Sequence, residues 1–265
     1  MTLQRYSGGR INLRKLYLTS NTKGRPLRKV KKTIYTVSID NYAKSVTDIT
    51  FPFMKAYAHK IGAKFHVIDK AKFKRCPITG RLQKWPGRYE KFQIFELAKE
   101  HQNDWNIYID NDALIHPDMM DMTTYLNKDT VVHNGRDVLE NRYRPDVYTM
   151  RDGRHISSCN WLAMASDWCL DLWHPLEDMT LADAVKNIFP TAGEINQGVK
   201  PLDLIDDYVM SRNIARFGLK FDSIIDILKE KCGYDGNFML HHLYAIPEAE
   251  KVAHMRQCLK NWQVV

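Results

Sequence analysis

Strand and helix signals alternate between residues 34 and 117, and this order constrains the fold of the chain more than any other feature. Residues 34–39, 64–68 and 107–109 are rich in β-branched and aromatic side chains, as strands are. Apolar side chains at helical spacing predict a helix over residues 48–61, and a second helix is predicted over residues 89–101. Helices that alternate with strands predict an α/β fold with a central, mostly parallel sheet covered by helices on both faces.

Two aspartates, Asp110 and Asp112, follow the third predicted strand and are separated by Asn111. Side chains on an extended chain repeat every two residues, so the two carboxylates are predicted to point the same way. Parallel sheets bind ligands beyond the carboxyl ends of their strands, and Mg²⁺ prefers oxygen ligands that it shares with water and phosphates. The pair therefore predicts a metal–diphosphate site. The alternative is an ordinary turn after a strand, where aspartate and asparagine are common.

Shorter elements are predicted in the second half of the chain. A strand over residues 158–164 leads into a helix around residues 168–173, and a further helix spans residues 204–217. A strand begins at Lys220, and residues 237–243 form a late strand or turn.

Basic residues are concentrated in two stretches of this chain of 265 residues, whose net charge is +8. One is the polar segment 1–32, which we interpret as an N-terminal arm that precedes a single domain over residues 33–265. The other is residues 70–88, which read as a loop rich in proline and glycine. Basic patches attract polyanions by long-range steering and counterion release. A solvated surface that keeps the protein soluble explains the same charges equally well.

The cysteines and the apolar segments predict the compartment. Five cysteines are scattered without a Cys-x-x-Cys pair, which argues against a disulfide framework or a cysteine-bound zinc. No apolar run is long enough to span a membrane, and the N-terminus lacks the apolar core of a secretory signal. We therefore expect a cytoplasmic protein without a membrane anchor.

The chain resembles the GT-A glycosyltransferases, a Rossmann-like family of nucleotide-sugar-dependent enzymes. Residues 108–115 are similar to the family's Asp-x-Asp motif, and residues 57–63 are similar to the segment after its first strand. Asn160 begins a block that resembles one of the retaining α-galactosyl- and α-xylosyltransferases, although Leu162 replaces the usual glycine. The matches appear in family order and include three further positions, Lys91, the acidic block at residues 206–210 and His241-His242.

The resemblance implies how the metal is held. Asp112 would ligate Mn²⁺ or Mg²⁺ directly, and Asp110 would contact the metal or its water and, with Asn111, the donor. A histidine near the C-terminus completes the metal shell in the family, and neutral imidazole suits Mn²⁺. Adjacent residues on a strand point to opposite faces, so either His241 or His242 is the ligand, with His241 slightly preferred.

The resemblance also implies which residues bind the donor. Residues 34–40 would bind the nucleotide, with the polar side chains Thr36, Ser38 and Asp40 at the strand end. Lys91 and Arg88, one helical turn apart, would stabilise the departing diphosphate, because fixed positive charge helps most where negative charge develops. A plain surface lysine is the alternative for Lys91.

Asp206 and Asp207 are the candidate catalytic residues, with Asn160 and the weaker candidate Gln197 in the same pocket. One aspartate would face the sugar or the acceptor hydroxyl, as a general base in an inverting enzyme or as an orienting group in a retaining one. The motif block favours retention. Aspartates at a helix start are also explained by the helix dipole alone.

The predicted reaction is transfer of a sugar from a UDP-sugar to an acceptor hydroxyl. The domain would bind the nucleotide sugar with residues 33–117 and the acceptor with residues 118–265. A basic cytoplasmic protein suggests DNA, in the manner of bacteriophage enzymes that glycosylate hydroxymethylated pyrimidines. The arm and the 70–88 loop would then contact phosphates. A glycan, lipid or protein acceptor is one alternative, and an inactive nucleic-acid-binding protein on the same fold is another.

Overall fold

The computed structural model describes residues 28–133, 161–232, 239–241 and 246–264. Its first three strands are β1 (Lys32–Val37), β2 (Lys64–Ile68) and β3 (Trp105–Ile109). β1 lies between β2 and β3 and pairs in parallel with both. The chain therefore passes from β1 to one neighbour and returns to the other, which creates a crevice between the carboxyl ends of β1 and β3.

Five further strands complete two sheets in the described ranges: β4 (Ala113–Ile115), β5 (Thr130–His133), β6 (Leu162–Ser166), β7 (Lys220–Ser223) and β8 (Met239–His241). The larger sheet has the order β2-β1-β3-β6-β5-β7, and β6 runs antiparallel to both of its neighbours. β5 and β7 pair in parallel. β4 and β8 form a small antiparallel sheet of their own.

Seven α-helices are described: α1 (Lys44–Lys60), α2 (Ile94–His101), α3 (Leu181–Val185), α4 (Ala192–Asn196), α5 (Ile205–Phe217), α6 (Ile224–Cys232) and α7 (Glu248–Asn261). The predicted start of the first helix at residue 48 was wrong, because α1 already begins at Lys44. Two predicted helical segments, residues 89–93 and 168–173, lie instead in the 3₁₀ turns Gly87–Gln93 and Asp167–Trp173, and such turns are common at helix ends and as connectors. A further 3₁₀ turn, Pro201–Leu204, leads into α5.

Side chains of the central strands alternate between two apolar layers. Ile34 of β1 and Ile107 of β3 pack with Met54 of α1 on one face. The next residues, Tyr35 and Tyr108, join the layer on the other face, which α2 and α5 help to form. Helices therefore cover both faces of a mostly parallel sheet, and the predicted α/β fold class is confirmed. Within the described ranges, no helix combines the length and apolar character that crossing a membrane requires.

Candidate active site

A cavity of about 660 Å³ opens at the carboxyl ends of β1 and β3, at the crevice that the strand order creates. Its lining comes from several parts of the chain: the end of β1, the turn after β3, the 3₁₀ turn before α2, the residue before β6, α4 with the segment that leads into α5, the first turn of α5, and the first turn of α7. The residues that line the cavity include Ser38, Tyr42, Arg88, Asp110, Asn111, Asp112, Trp161, Gln197, Asp203, Asp206, Asp207 and Lys251.

Asp110 and Asp112 lie in a tight turn between β3 and β4. The Asp110 amide donates to the Trp161 carbonyl over 2.8 Å, and the Asp110 carbonyl accepts from the Ala113 amide over 3.1 Å. Thr50 Oγ1 donates to the Asn111 carbonyl over 2.5 Å. The expectation that the acidic pair continues the extended strand was wrong, because three residues must connect β3 to β4. Both carboxylates nevertheless line the same cavity.

Positive groups lie beside both carboxylates. Lys251 Nζ lies 2.6 Å from Asp112 Oδ2, and these side chains are only 13% and 15% exposed. Lys91 Nζ lies 3.7 Å from Asp110 Oδ1, and the Tyr108 hydroxyl donates to the same oxygen. Burial, followed by the charge of Asp110, raises the pKa of Tyr108 well above its usual value. The tyrosine therefore stays protonated and holds the orientation of Asp110.

Lys91 is completely buried, so the surface-lysine alternative was wrong. Its ammonium lies 2.7 Å from Asp206 Oδ2 and 4.2 Å from the centre of the Tyr108 ring. Lys91 is not among the residues that line the cavity, and it lies behind the wall that carries Asp110 and Asp206. It therefore connects the carboxylate at the end of β3 to the carboxylate at the start of α5.

Asp206 and Asp207 occupy the first turn of α5, are both buried and both line the cavity. The helix dipole alone does not explain Asp206, because this carboxylate is paired with a buried lysine. The nearby Arg88 lines the same cavity, with its guanidinium donating to the Asp203 carbonyl. Gln197 is also in the lining. The structure thus brings the predicted acidic residues and Arg88 together around one space.

Only one of the three polar side chains predicted to bind the nucleotide at the end of β1 lines the cavity. Ser38 lines the cavity, but Thr36 is fully buried, and its hydroxyl has no hydrogen-bond partner within the described ranges. Asp40 does not line the cavity and adopts a φ of 51°, in the left-handed region, as do Asn41 and Ala43. Thr36 lies within β1, where both faces of the sheet are covered, so its side chain is buried, and the left-handed turn carries Asp40 away.

Four polar residues of the cavity lining were not predicted from the sequence: Tyr42, Glu194, Asp203 and Lys251. Tyr42 is 73% exposed and follows the left-handed turn after β1. Lys251 lies in the first turn of α7, 139 positions from its partner Asp112. No local pattern in the sequence marks Tyr42 or Lys251.

The structure describes the predicted metal ligands in part. Residue His241 of β8 pairs in register with Ala113, so its backbone lies beside the residue that follows Asp112. Asn160, His242 and most of the basic arm lie outside the described residues. In the described ranges, no three histidine, cysteine, aspartate or glutamate side chains come close enough together to hold a metal ion.

Comparisons with known proteins give weak structural likenesses, and two of them are to glycosyltransferases. No family model matches the chain, and no curated protein matches its sequence. A glycosyltransferase involved in glycosylation of the major capsid of PBCV-1 is 12% identical, with 85% of this chain and 98% of that chain covered and a TM-score of 0.48. A mutant of Drosophila beta-1,4-galactosyltransferase 7, in complex with manganese, UDP-Gal and xylobiose, is 12% identical, with 73% and 65% covered and a TM-score of 0.35. At these values neither likeness bears on the activity of this chain.

Proposed function

We propose that this protein is a glycosyltransferase of the GT-A type that transfers a sugar from a UDP-sugar to an acceptor hydroxyl, with Mn²⁺ or Mg²⁺ as cofactor. One observation carries the proposal: the carboxylates of Asp110 and Asp112 share a single cavity at the strand crevice with Asp206 and Asp207. An α/β fold hosts many activities, so the argument depends on this site and not on the fold.

The acidic turn fits a hard divalent ion. Asp110 and Asp112 offer carboxylate oxygens to the same space, and Mg²⁺ commonly takes one or two carboxylates together with water and substrate phosphates. Asp110, Asp112 and His241, or His242 in its place, would hold the ion. Bound there, it would supply positive charge to the departing diphosphate.

The donor would lie between the end of β1 and the 3₁₀ turn that carries Arg88. Ser38 and Asn111 offer polar groups to the nucleotide, and the Arg88 guanidinium is suited to a diphosphate. Lys91 is buried behind the wall, so we assign it the positioning of Asp110 and Asp206 instead of a direct phosphate contact.

Asp207 is the carboxylate that we propose for the reacting side of the sugar. The ammonium of Lys91 already neutralises Asp206, which leaves that residue as a structural partner within the wall. Asp207 would orient the sugar in a retaining reaction, the outcome that we favour, or accept the proton of the acceptor hydroxyl in an inverting one. Asn160 and Gln197 remain proposed neighbours of this group.

Tyr42 is the residue that we propose to stack on the uracil ring. Replacing Tyr42 by alanine is expected to weaken UDP binding about tenfold or more, because stacking of a base on an aromatic ring contributes about 1–3 kcal/mol. The free energy of unfolding should hardly change, since the ring is 73% exposed and φ at this residue is −52°. Isothermal titration with UDP and Mn²⁺ measures the change in UDP affinity.

Trp168→Ala, which removes a 67% exposed ring outside the cavity lining, is the control for the Tyr42 substitution. Equal UDP affinity in the Tyr42 variant and the wild type would exclude stacking.

DNA is the acceptor that the surface beside the cavity favours. The 70–88 loop carries seven lysine and arginine residues and no acidic residue. Its central part is ordered by backbone hydrogen bonds, from the Cys76 amide to the Arg81 carbonyl over 2.8 Å and from the Gln83 amide to the Lys74 carbonyl over 2.9 Å. The loop ends in Arg88 at the cavity wall. Phosphates bound along the loop would therefore lead a strand to the cavity, where an extruded hydroxymethylated pyrimidine could enter.

Salt dependence tests whether the loop binds DNA. Changing the exposed Lys72, Lys74 and Lys84 together to glutamine should lower the slope of log affinity against log salt by about 2 to 3, because each phosphate contact contributes about 0.9. Fluorescence anisotropy with a labelled duplex at several salt concentrations gives the slope. The control changes three exposed lysines outside the loop to glutamine: Lys55, Lys229 and Lys260. Equal slopes for the two triple variants would remove the loop from the interface.

Product analysis tests the proposed activity itself. The protein is incubated with a panel of UDP-sugars and Mn²⁺, with plain or hydroxymethylated DNA, and the nucleosides are analysed by mass spectrometry. A sugar adduct on the hydroxymethylated base is expected. Release of UDP without an adduct on DNA would favour a glycan, lipid or protein acceptor. DNA binding with neither UDP release nor adduct would overturn the enzymatic proposal.

A further inference from the structure

The ion pair between Lys251 and Asp112 places an ammonium on the carboxylate that we propose as a metal ligand. Lys251 Nζ is 2.6 Å from Asp112 Oδ2, and both side chains line the cavity. The pair is mostly screened from water, with exposed fractions of 13% and 15%. An ammonium and a divalent ion on the same carboxylate repel each other, so the ion pair opposes binding of the ion.

The position of Lys251 in its helix is not explained by helix stability. Lys251 lies in the first turn of α7, where the helix dipole favours acidic residues and disfavours cations. Glu248 and Glu250 in the same turn follow that preference. The favourable contact of Lys251 in this turn is therefore its partner in the cavity, Asp112.

The backbone of Lys251 is held in place independently of this ion pair. Met255 and Leu259 of α7 are buried against Val46 of α1 and Leu114 of β4. The helix is thus anchored by apolar packing, and the flexible side chain of Lys251 can change its partner without movement of the helix.

We infer that Lys251 is the counter-ion of Asp112 in the metal-free protein, and that it transfers to the donor diphosphate when the metal and the nucleotide bind together. This inference rests on the proposed function. The cavity that holds the ion pair would also hold the diphosphate, whose oxygens offer the ammonium a new anionic partner. Mn²⁺ alone must displace Lys251 from Asp112 without offering it that partner. When UDP binds with Mn²⁺, the displaced ammonium of Lys251 gains the diphosphate as its new partner, and the free-energy cost of breaking the ion pair is offset. Each ligand therefore raises the affinity for the other by the same factor.

Manganese binding measured by electron paramagnetic resonance tests the inference without a turnover assay. In the wild type, Mn²⁺ alone should bind weakly, and saturating UDP should strengthen its binding. Lys251→Met should raise the affinity for Mn²⁺ alone about tenfold, because Asp112 is left as a screened carboxylate without its counter-ion. The factor by which saturating UDP raises the affinity for Mn²⁺ should also fall about tenfold in this variant. Lys251→Arg, which keeps the charge, should behave like the wild type.

The controls separate this inference from the proposed function. Lys260→Met removes an exposed lysine from the same helix and should leave the Mn²⁺ affinity unchanged. Circular dichroism verifies that each variant is folded, and Lys251→Gln replaces the methionine variant if that one unfolds. Unchanged or weaker Mn²⁺ binding in the Lys251 variant, with UDP-dependent Mn²⁺ binding intact in the wild type, overturns the inference alone. Absence of Mn²⁺ binding in the presence of UDP in every variant overturns the proposed function and the inference together.

Discussion

Asp112→Asn is expected to lower the rate of sugar transfer by about 10³-fold or more and to abolish Mn²⁺ binding. The substitution keeps the shape of the side chain but removes the negative charge that we propose to ligate the ion. Loss of one preorganised charge-stabilising group costs about 10²–10³ in rate, and loss of a metal ligand also removes the charge of the ion from the leaving group. Release of UDP from a UDP-sugar, with saturating acceptor, measures the rate.

A matched aspartate in the following loop provides the control for this substitution. Asp118→Asn removes an 83% exposed carboxylate six residues further along the chain and should leave transfer and Mn²⁺ binding unchanged. The free energy of unfolding of Asp112→Asn should also fall, because Lys251 is only 13% exposed and loses its carboxylate partner, so urea unfolding verifies that the variant is folded under the assay conditions. Transfer at near the wild-type rate in a folded Asp112→Asn protein would refute the role of the acidic pair.

Lys91→Met should produce the largest loss of stability among the substitutions considered, about 3–5 kcal/mol. The ammonium is fully buried and lies 2.7 Å from the buried Asp206 and 3.7 Å from Asp110. Removing it leaves a buried carboxylate uncompensated, which is much more costly than the loss of a surface ion pair. Urea unfolding measures the change, and sugar transfer should fall with it because Asp110 and Asp206 lose the group that positions both.

A second substitution separates the charge of Lys91 from its packing. Adding Asp206→Asn to Lys91→Met removes the uncompensated carboxylate and should recover about 2 kcal/mol of the lost stability. Lys99→Met, a lysine on α2 that is 48% exposed and paired with Glu96, should change the free energy of unfolding by about 0.5 kcal/mol or less. A loss in Lys91→Met no greater than that in Lys99→Met would show that the buried ion pair is not a stabilising element.

Much of the fold could be predicted because its determinants are local. β-branched and aromatic runs predict β1, β2 and β3, and helical spacing predicts α1 and α5, with errors of a few residues at the ends. The order of these elements restricts the topology to a parallel sheet, because a crossover helix brings the next strand back in the same direction. The 3₁₀ segments Gly87–Gln93 and Asp167–Trp173 were predicted only as helical, because a run of about two turns is too short for its apolar spacing to distinguish a 3₁₀ period from an α period.

The candidate site could be predicted only in part. Asp110, Asp112, Asp206 and Asp207 are placed at the end of a strand or the start of a helix, and such positions converge at the carboxyl edge of a parallel sheet. Thr36 could have been excluded from the sequence, because it lies within a strand of a parallel sheet that helices cover on both faces. Asp40 could not have been excluded in this way, because three left-handed residues after β1 redirect the chain.

The sequence by itself determined the first three strands, the two helices between them, the location of a site at the carboxyl ends of parallel strands, and four acidic residues of that site, Asp110, Asp112, Asp206 and Asp207. These features depend on periodicity and on residue types at element ends, which are local properties of the chain. Only the tertiary structure decided that Lys91 is buried between two carboxylates and that Lys251 reaches Asp112. The free energy of a charge depends on its burial and on its partners, and packing brings those partners from distant parts of the chain.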